Sequence, residues 1–224
     1  MFRILIAEDH EVARQGIRAL LEGHPGWEVC AEAKDGREAV ELANSARPDL
    51  ILLDIGMPNL NGLEAARQIL ASSPDIPVLI LTMQDSDQVV REVLRAGARG
   101  FLLKSDAGRD LVAAVEALQL RRTFFTTRVS QMVLEGFLDR RNPASPEDAN
   151  ATKEDEAVAV LTSREREVIQ LLAEGKTSKE VAVALRLSVK TSETHRTNLM
   201  RKLGLHSVAD LTRYAVRNGI VQVF

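Results

Sequence analysis

The chain contains one cysteine, Cys30, in 224 residues. An internal disulfide is therefore excluded, and a reducing compartment is expected. The neighbours Val29 and Ala31 are apolar, which points to a buried thiol and away from a redox centre. Long hydrophobic runs are also missing. No segment approaches the ~20 apolar residues of a membrane helix, and the opening apolar span ends at Ala7, too short for a signal-peptide core. No membrane association is expected, and the cytoplasm is the expected location. Net charge is small as well, −3, but it hides a division. Leu161 to Phe224 carry eleven Lys/Arg against six Asp/Glu, a net of +5, which leaves 18 basic and 26 acidic residues and a net of −8 for residues 1–160. An acidic front and a basic back imply different partners.

What is present fits two domains, since 224 residues exceed the usual size of one. In the front half, apolar runs at Phe2–Ala7, Trp27–Ala33, Leu50–Leu53, Val78–Leu81 and Gly100–Leu103 lack strict alternation, as parallel strands covered on both faces do. Helix-length amphipathic segments follow each one: Glu11–Glu22, Gly36–Ala46, Asn61–Ala71, Ser86–Ala96 and Gly108–Leu120. Five such units predict an α/β doubly wound five-stranded parallel sheet of flavodoxin-like topology over residues 1–120.

In such sheets, ligands sit at the carboxyl ends of the strands. Glu8 and Asp9 follow the first strand, Asp54 ends the third in "PDLILLDIGMPNLNG", Thr82 ends the fourth and Lys104 ends the fifth. Each alone has a plain structural reading: Asp54 as an acid before the Met57-Pro58 turn, Glu8-Asp9 as a helix N-cap, Lys104 as a solvated cation, Thr82 as a strand-end hydroxyl. Their convergence from four strand ends points instead to a site. Three carboxylates together need a bound cation or raised pKa values, oxygen ligands favour Mg2+, and Asp54 beside such a metal could act as a nucleophile toward phosphorus, with Thr82 and Lys104 receiving the phosphoryl oxygens.

"ILIAEDH", "LILLDIGMPNLNG", "LILTM" and "GARGFLLKS" resemble the receiver domain of two-component response regulators. The resemblance implies that Asp54 accepts a phosphoryl group from a sensor histidine kinase, that Asp9, Asp54 and the Gly56 carbonyl hold Mg2+ with Glu8 nearby, and that Thr82 and Phe101 are switch positions. In that family the aromatic at Phe101 turns inward when the threonine hydroxyl engages the phosphoryl group. Ser105 stands where proline often follows the lysine, so no cis bond is expected after Lys104. Two other chemistries fit less well. Aspartyl-phosphate hydrolases of the haloacid dehalogenase kind carry an acid two residues after the nucleophile, where this chain has Gly56, and no hydroxyl-rich flavin-phosphate loop follows the first strand. The chain is expected to be a phosphoryl acceptor and not a turnover enzyme.

Residues 121–160 read as a linker, with a short helix near 127–138 and a tether in "NPASPEDANATKEDE", which has no large apolar residue. The remainder, 161–224, is helical by pattern and predicts a separate all-α four-helix domain. Helices near Ser178–Leu185 and Val189–Leu203, joined by a tight turn, predict a helix-turn-helix whose second member enters the major groove of double-stranded DNA. "LTSREREVIQLLAEGKTSKEVAVAL" and "SVKTSETHRTNLMRKLGL" resemble the DNA-binding domain of the LuxR/NarL (also FixJ) group. By position the resemblance assigns base-edge contact to Glu193, Thr194 and Thr197, and phosphate contact to Lys179, Lys190, Thr191, Arg196 and Lys202. Ser192 replaces a common valine, with looser packing or an altered contact as the expected effect. The last helix is a dimer contact in the family, so a homodimer is expected at least in the phosphorylated state. An orphan regulator of the same architecture, binding DNA without phosphorylation, is the alternative.

Overall fold

A computed structural model describes residues 1–84, 86–126, 129–131 and 161–221. The chain divides into two compact units, Met1–Met132 and Val133–Phe224.

In the first unit the strands are β1 (Phe2–Ala7), β2 (Trp27–Ala33), β3 (Leu50–Asp54), β4 (Val78–Thr82) and β5 (Gly100–Leu103). All pair in parallel, in the order β2-β1-β3-β4-β5. The helices are α1 (Glu11–Glu22), α2 (Gly36–Ala46), α3 (Gly62–Ser72), α4 (Asp87–Arg95) and α5 (Ala107–Gln119), the last entered through a 3-10 turn at Lys104–Asp106. The pleat sorts the buried residues into two cores. Leu5, Ala7, Ile51, Leu53, Ile80 and Phe101 face a core shared with α2, α3 and α4. Ile4, Ile6, Leu50, Leu52, Leu79, Leu81 and Leu102 face another, closed by α1 and α5. Both faces are covered, which is why the strands read as apolar runs without alternation. Asp35, Asn61 and Ser86 cap α2, α3 and α4 by accepting from the backbone N–H three residues on.

Packing continues past Leu120. The Phe101 N–H donates to the Phe124 carbonyl at 2.9 Å and the Phe124 N–H donates to the Arg99 carbonyl at 3.0 Å, so Phe124 lies as a one-residue parallel strand on the open edge of β5. Phe125 packs against the Phe101 core, and Val129 is buried within it. Residues 129–131 are helical; the rest of the expected helix near 127–138, and the tether, lie outside the described residues.

In the second unit the helices are α6 (Ser163–Ala173), α7 (Ser178–Ala184), α8 (Val189–Lys202) and α9 (Val208–Arg217). Leu161, Val168, Leu171, Leu172, Val181, Leu185, Leu199, Leu211 and Ala215 form its core. A full capping box joins Thr162 and Glu165 at α6, and a second joins Thr177 and Glu180 at α7. Arg186, at φ 52°, turns the chain between α7 and α8.

An ion-pair chain not foreseen from sequence ties α3 to α4. The Arg67 guanidinium lies 3.2 Å from the buried Glu64 carboxylate and 2.5 Å from Glu92, which also pairs with Arg95 at 2.8 Å. Removing the central cation takes a charge partner from both buried acids at once, Glu64 and Glu92. Arg67→Met is expected to destabilise this unit by roughly 3 kcal/mol, measured as a fall in the urea midpoint followed through Trp27, the single tryptophan of the chain.

Candidate functional site

Strand register brings the polar strand ends together. Ala7 pairs with Leu53, so Glu8 and Asp54, next along their strands, become neighbours. Asp54 pairs with Leu81 and Thr82 with Leu103, which sets Thr82 and Lys104 along the same edge. Lys104 Nζ lies 2.8 Å from Glu8 Oε2 and 2.9 Å from Asp54 Oδ2, bridging two acids that are almost wholly buried. Glu8 and Asp9 do not cap α1, whose N-cap residue is His10. Donor atoms of Glu8, Asp9, His10 and Asp54 all lie within 4.8 Å of one another.

Backbone contacts hold this edge in place. Arg14, buried on α1, donates from Nη1 to the Glu8 carbonyl at 2.8 Å and from Nε to Glu32 at 3.0 Å. The Gly56 N–H donates to the Asp54 carboxylate. Gly62 lies so close under β3 that a Cβ there would come within 2.0 Å of the Asp54 carbonyl oxygen. Only glycine leaves that room. Thr82 is fully buried, and its Oγ1 accepts from the Gln84 N–H at 3.1 Å, so its hydroxyl serves the local turn. Phe101 is already inward, at 1% exposure. No cis peptide occurs among the described residues, in keeping with Ser105 after Lys104.

On α8, Lys190, Glu193, Thr194, Thr197 and Arg201 are all exposed on one side, while Leu199 is buried on the other. Thr194 and Thr197 donate their hydroxyls to the Lys190 and Glu193 carbonyls, each at 2.9 Å, which restrains their rotamers. Ser188 caps α8, accepting from the Thr191 N–H at 3.0 Å, with the Thr191 hydroxyl 2.7 Å from its own. Lys179 is exposed on α7 and Arg196 half-buried on α8. Lys202 reaches back to Glu165 on α6 at 2.8 Å, an ion pair that the sequence pattern did not reveal. Ser192 is 1% exposed, which puts its missing methyls in the core and not on the exposed side.

A family profile described as a response regulator receiver domain matches residues 4–116, and one described as bacterial regulatory proteins of the luxR family matches 159–215. The transcriptional regulatory protein LiaR of Bacillus subtilis (strain 168) is 36% identical over 99% of this chain and 100% of its own. DegU of Brevibacillus brevis, also a transcriptional regulatory protein, is 33% identical over 99% and 95%. The chain belongs to the LuxR-type response regulators. Among solved structures, RcsB from Salmonella enterica serovar Typhimurium, bound to promoter rprA in the presence of a phosphomimetic, is 26% identical and covers 95% of this chain and 97% of its own at a TM-score of 0.58.

Receiver domains bind Mg2+ at an acidic pocket, and this response regulator has one in Glu8, Asp9 and Asp54. The donor chemistry fits: all three are oxygen ligands, and Asp54 Oδ1 is buried without a hydrogen bond. Burial first, and then the Glu8 charge, raise the Asp54 carboxyl above its usual range, against the pull of Lys104 and the Gly56 N–H. Burial lowers the Lys104 amine, but the Asp54 charge and its bonds to Glu8 and Asp54 leave it above the ordinary lysine value. His10 and Arg14 were legible only as neighbours of "AED", with no spacing signal to mark them.

The raised Asp54 carboxyl has a consequence for stability. A folded chain that holds this proton more tightly than the unfolded chain is favoured below the ordinary carboxylate range, and that advantage is lost as pH rises through the folded value. In the metal-free protein, Asp54→Asn removes this cost, while Glu8 remains to pair Lys104. Its melting temperature at pH 7 is expected to exceed that of the wild type, and the gain should vanish toward pH 3. Thermal scans without divalent ions, followed through Trp27, check both.

Proposed function

We propose that this response regulator takes a phosphoryl group on Asp54 from the phosphohistidine of a sensor histidine kinase and thereby controls transcription through DNA contacts of α8. The observation that carries this reading is the buried Asp54 carboxylate, with Oδ1 lacking a hydrogen bond and Oδ2 paired to Lys104, in one chain with a helix-turn-helix. Transfer breaks the phosphorus–nitrogen bond of the donor and forms a phosphorus–oxygen bond to Asp54. Mg2+, held by Glu8, Asp9, Asp54 and the Gly56 carbonyl, supplies charge neutralisation for the entering phosphoryl group when bound. Lys104, already 2.9 Å from Asp54, neutralises one phosphoryl oxygen, and the Thr82 hydroxyl, whose oxygen accepts from the Gln84 N–H, donates its proton to another. A hydroxyl drawn to the phosphoryl group pulls on the turn after β4, and Phe101 and its hydrogen bond to Phe124 lie on the next strand. The phosphorylated population is then the one that binds DNA best, as a homodimer. The chain accepts a phosphoryl group without turnover of its own, and the cytoplasm is its site of action; no helix among the described residues is long and apolar enough to cross a membrane.

At the DNA, Glu193, Thr194 and Thr197 read base edges in the major groove, while Lys179, Lys190, Thr191, Arg196 and Lys202 hold phosphates. Lys202 must give up Glu165 to do so, or it orients α8 through that pair instead.

Incubation with acetyl phosphate and Mg2+ is expected to add about 80 Da to the intact mass of the wild type and nothing to Asp54→Ala. A gain in both proteins would move the acceptor elsewhere. If DNA affinity of the full chain is the same with and without phosphodonor, the switching role fails and the phosphorylation-independent reading takes its place. In binding titrations over a salt series, Lys190→Ala is expected to weaken all sequences alike and to reduce the slope of log affinity against log salt by about one. Discrimination among sequences lost with Lys190→Ala would assign that residue to base reading.

A further inference from the structure

We propose that His10 makes the acidic pocket a mixed nitrogen–oxygen metal site, which takes a borderline divalent ion such as Co2+ or Zn2+ through Nδ1 in addition to the Mg2+ its carboxylates favour. The proposal deepens the metal role proposed for the pocket and rests on it. His10 is the N-cap residue of α1, yet its side chain makes no capping hydrogen bond. The ring turns to the carboxylates instead, with Nδ1 2.9 Å from Asp9 Oδ1 and 3.3 Å from Glu8 Oε1. It is one of the four donors that lie within 4.8 Å of one another. A single ion at about 2.0–2.2 Å from each nitrogen or oxygen can span donors so spaced.

An independent observation points to an ion between them: Asp54, 2% exposed, aims an oxygen into the pocket without a hydrogen-bond partner. The His10 side chain is 54% exposed, so its ring can turn toward an ion without disturbing either core. Ligation uses the neutral tautomer with its proton on Nε2, which leaves the Nδ1 lone pair for the metal. An imidazole nitrogen raises affinity for Co2+ and Zn2+ far more than for Mg2+, which prefers oxygen and keeps its waters. The metal preference of this pocket is therefore set by the residue after the acidic pair, not by the acids alone.

The test titrates the metal-free full chain with Co2+, reads the visible absorption of the bound ion, and obtains Mg2+ affinity by competition, in wild type, His10→Ala and Asp54→Asn. His10→Ala should weaken Co2+ binding by roughly 10- to 100-fold and shift its absorption band, with Mg2+ affinity changed less than about twofold. Equal Co2+ affinity in wild type and His10→Ala, or an equal loss for both ions, overturns the proposal. Asp54→Asn distinguishes the two layers. If it leaves Co2+ binding intact, the ion does not use the buried Asp54, and the acidic-pocket reading falls with the proposal. Retained Trp27 emission and melting transition in His10→Ala exclude misfolding as the cause.

Discussion

Two buried carboxylates and one amine set the terms for the first unit. Glu8 and Asp54 end adjacent parallel strands with almost no solvent, and Lys104 Nζ sits within 3 Å of both. Two acids and one cation leave an excess negative charge in a poorly hydrated place. Burial first, and then the Glu8 charge, hold the Asp54 carboxyl above its usual range. The donors around that charge are of the oxygen-rich kind that suits a divalent ion.

The fold can hold this arrangement because everything around it is overdetermined. The two apolar cores lock β1, β3, β4 and β5 in register, and register alone sets the polar ends side by side. Arg14 fastens the Glu8 carbonyl, and Gly62 allows α3 to start against the Asp54 backbone. Phe101 then links the site to the outgoing chain: its side chain is in the core and its N–H is bonded to Phe124. The second unit divides its labour differently. Capping boxes and a core of leucine, isoleucine and valine hold α6, α7 and α8, so the exposed side of α8 contributes little to folding and is free to be polar.

Local chemistry made most of this legible. The strands and helices of the first unit follow the apolar runs closely, because strands covered on both faces must be apolar throughout and α2, α3 and α4 begin where a cap residue stands. The set Glu8, Asp9, Asp54, Thr82 and Lys104 was readable from the rule that parallel strands end on one edge. The Arg14–Glu32 and Arg67–Glu92 contacts were not, since each joins elements whose separation in sequence has no period. The same holds for Lys202, whose partner Glu165 is 37 residues away.

Sequence by itself determined the two-unit plan, the doubly wound sheet, the acidic edge and the helix-turn-helix, because all of these follow from hydrophobic period, capping chemistry and the charge balance of each half. Only tertiary structure decided which carboxylate shares Lys104, that Thr82 and Phe101 are buried, that Phe124 closes the edge of β5, and that an imidazole joins the acids. Those depend on which atoms packing brings within a few ångströms across long stretches of chain, and on how much water it leaves between them.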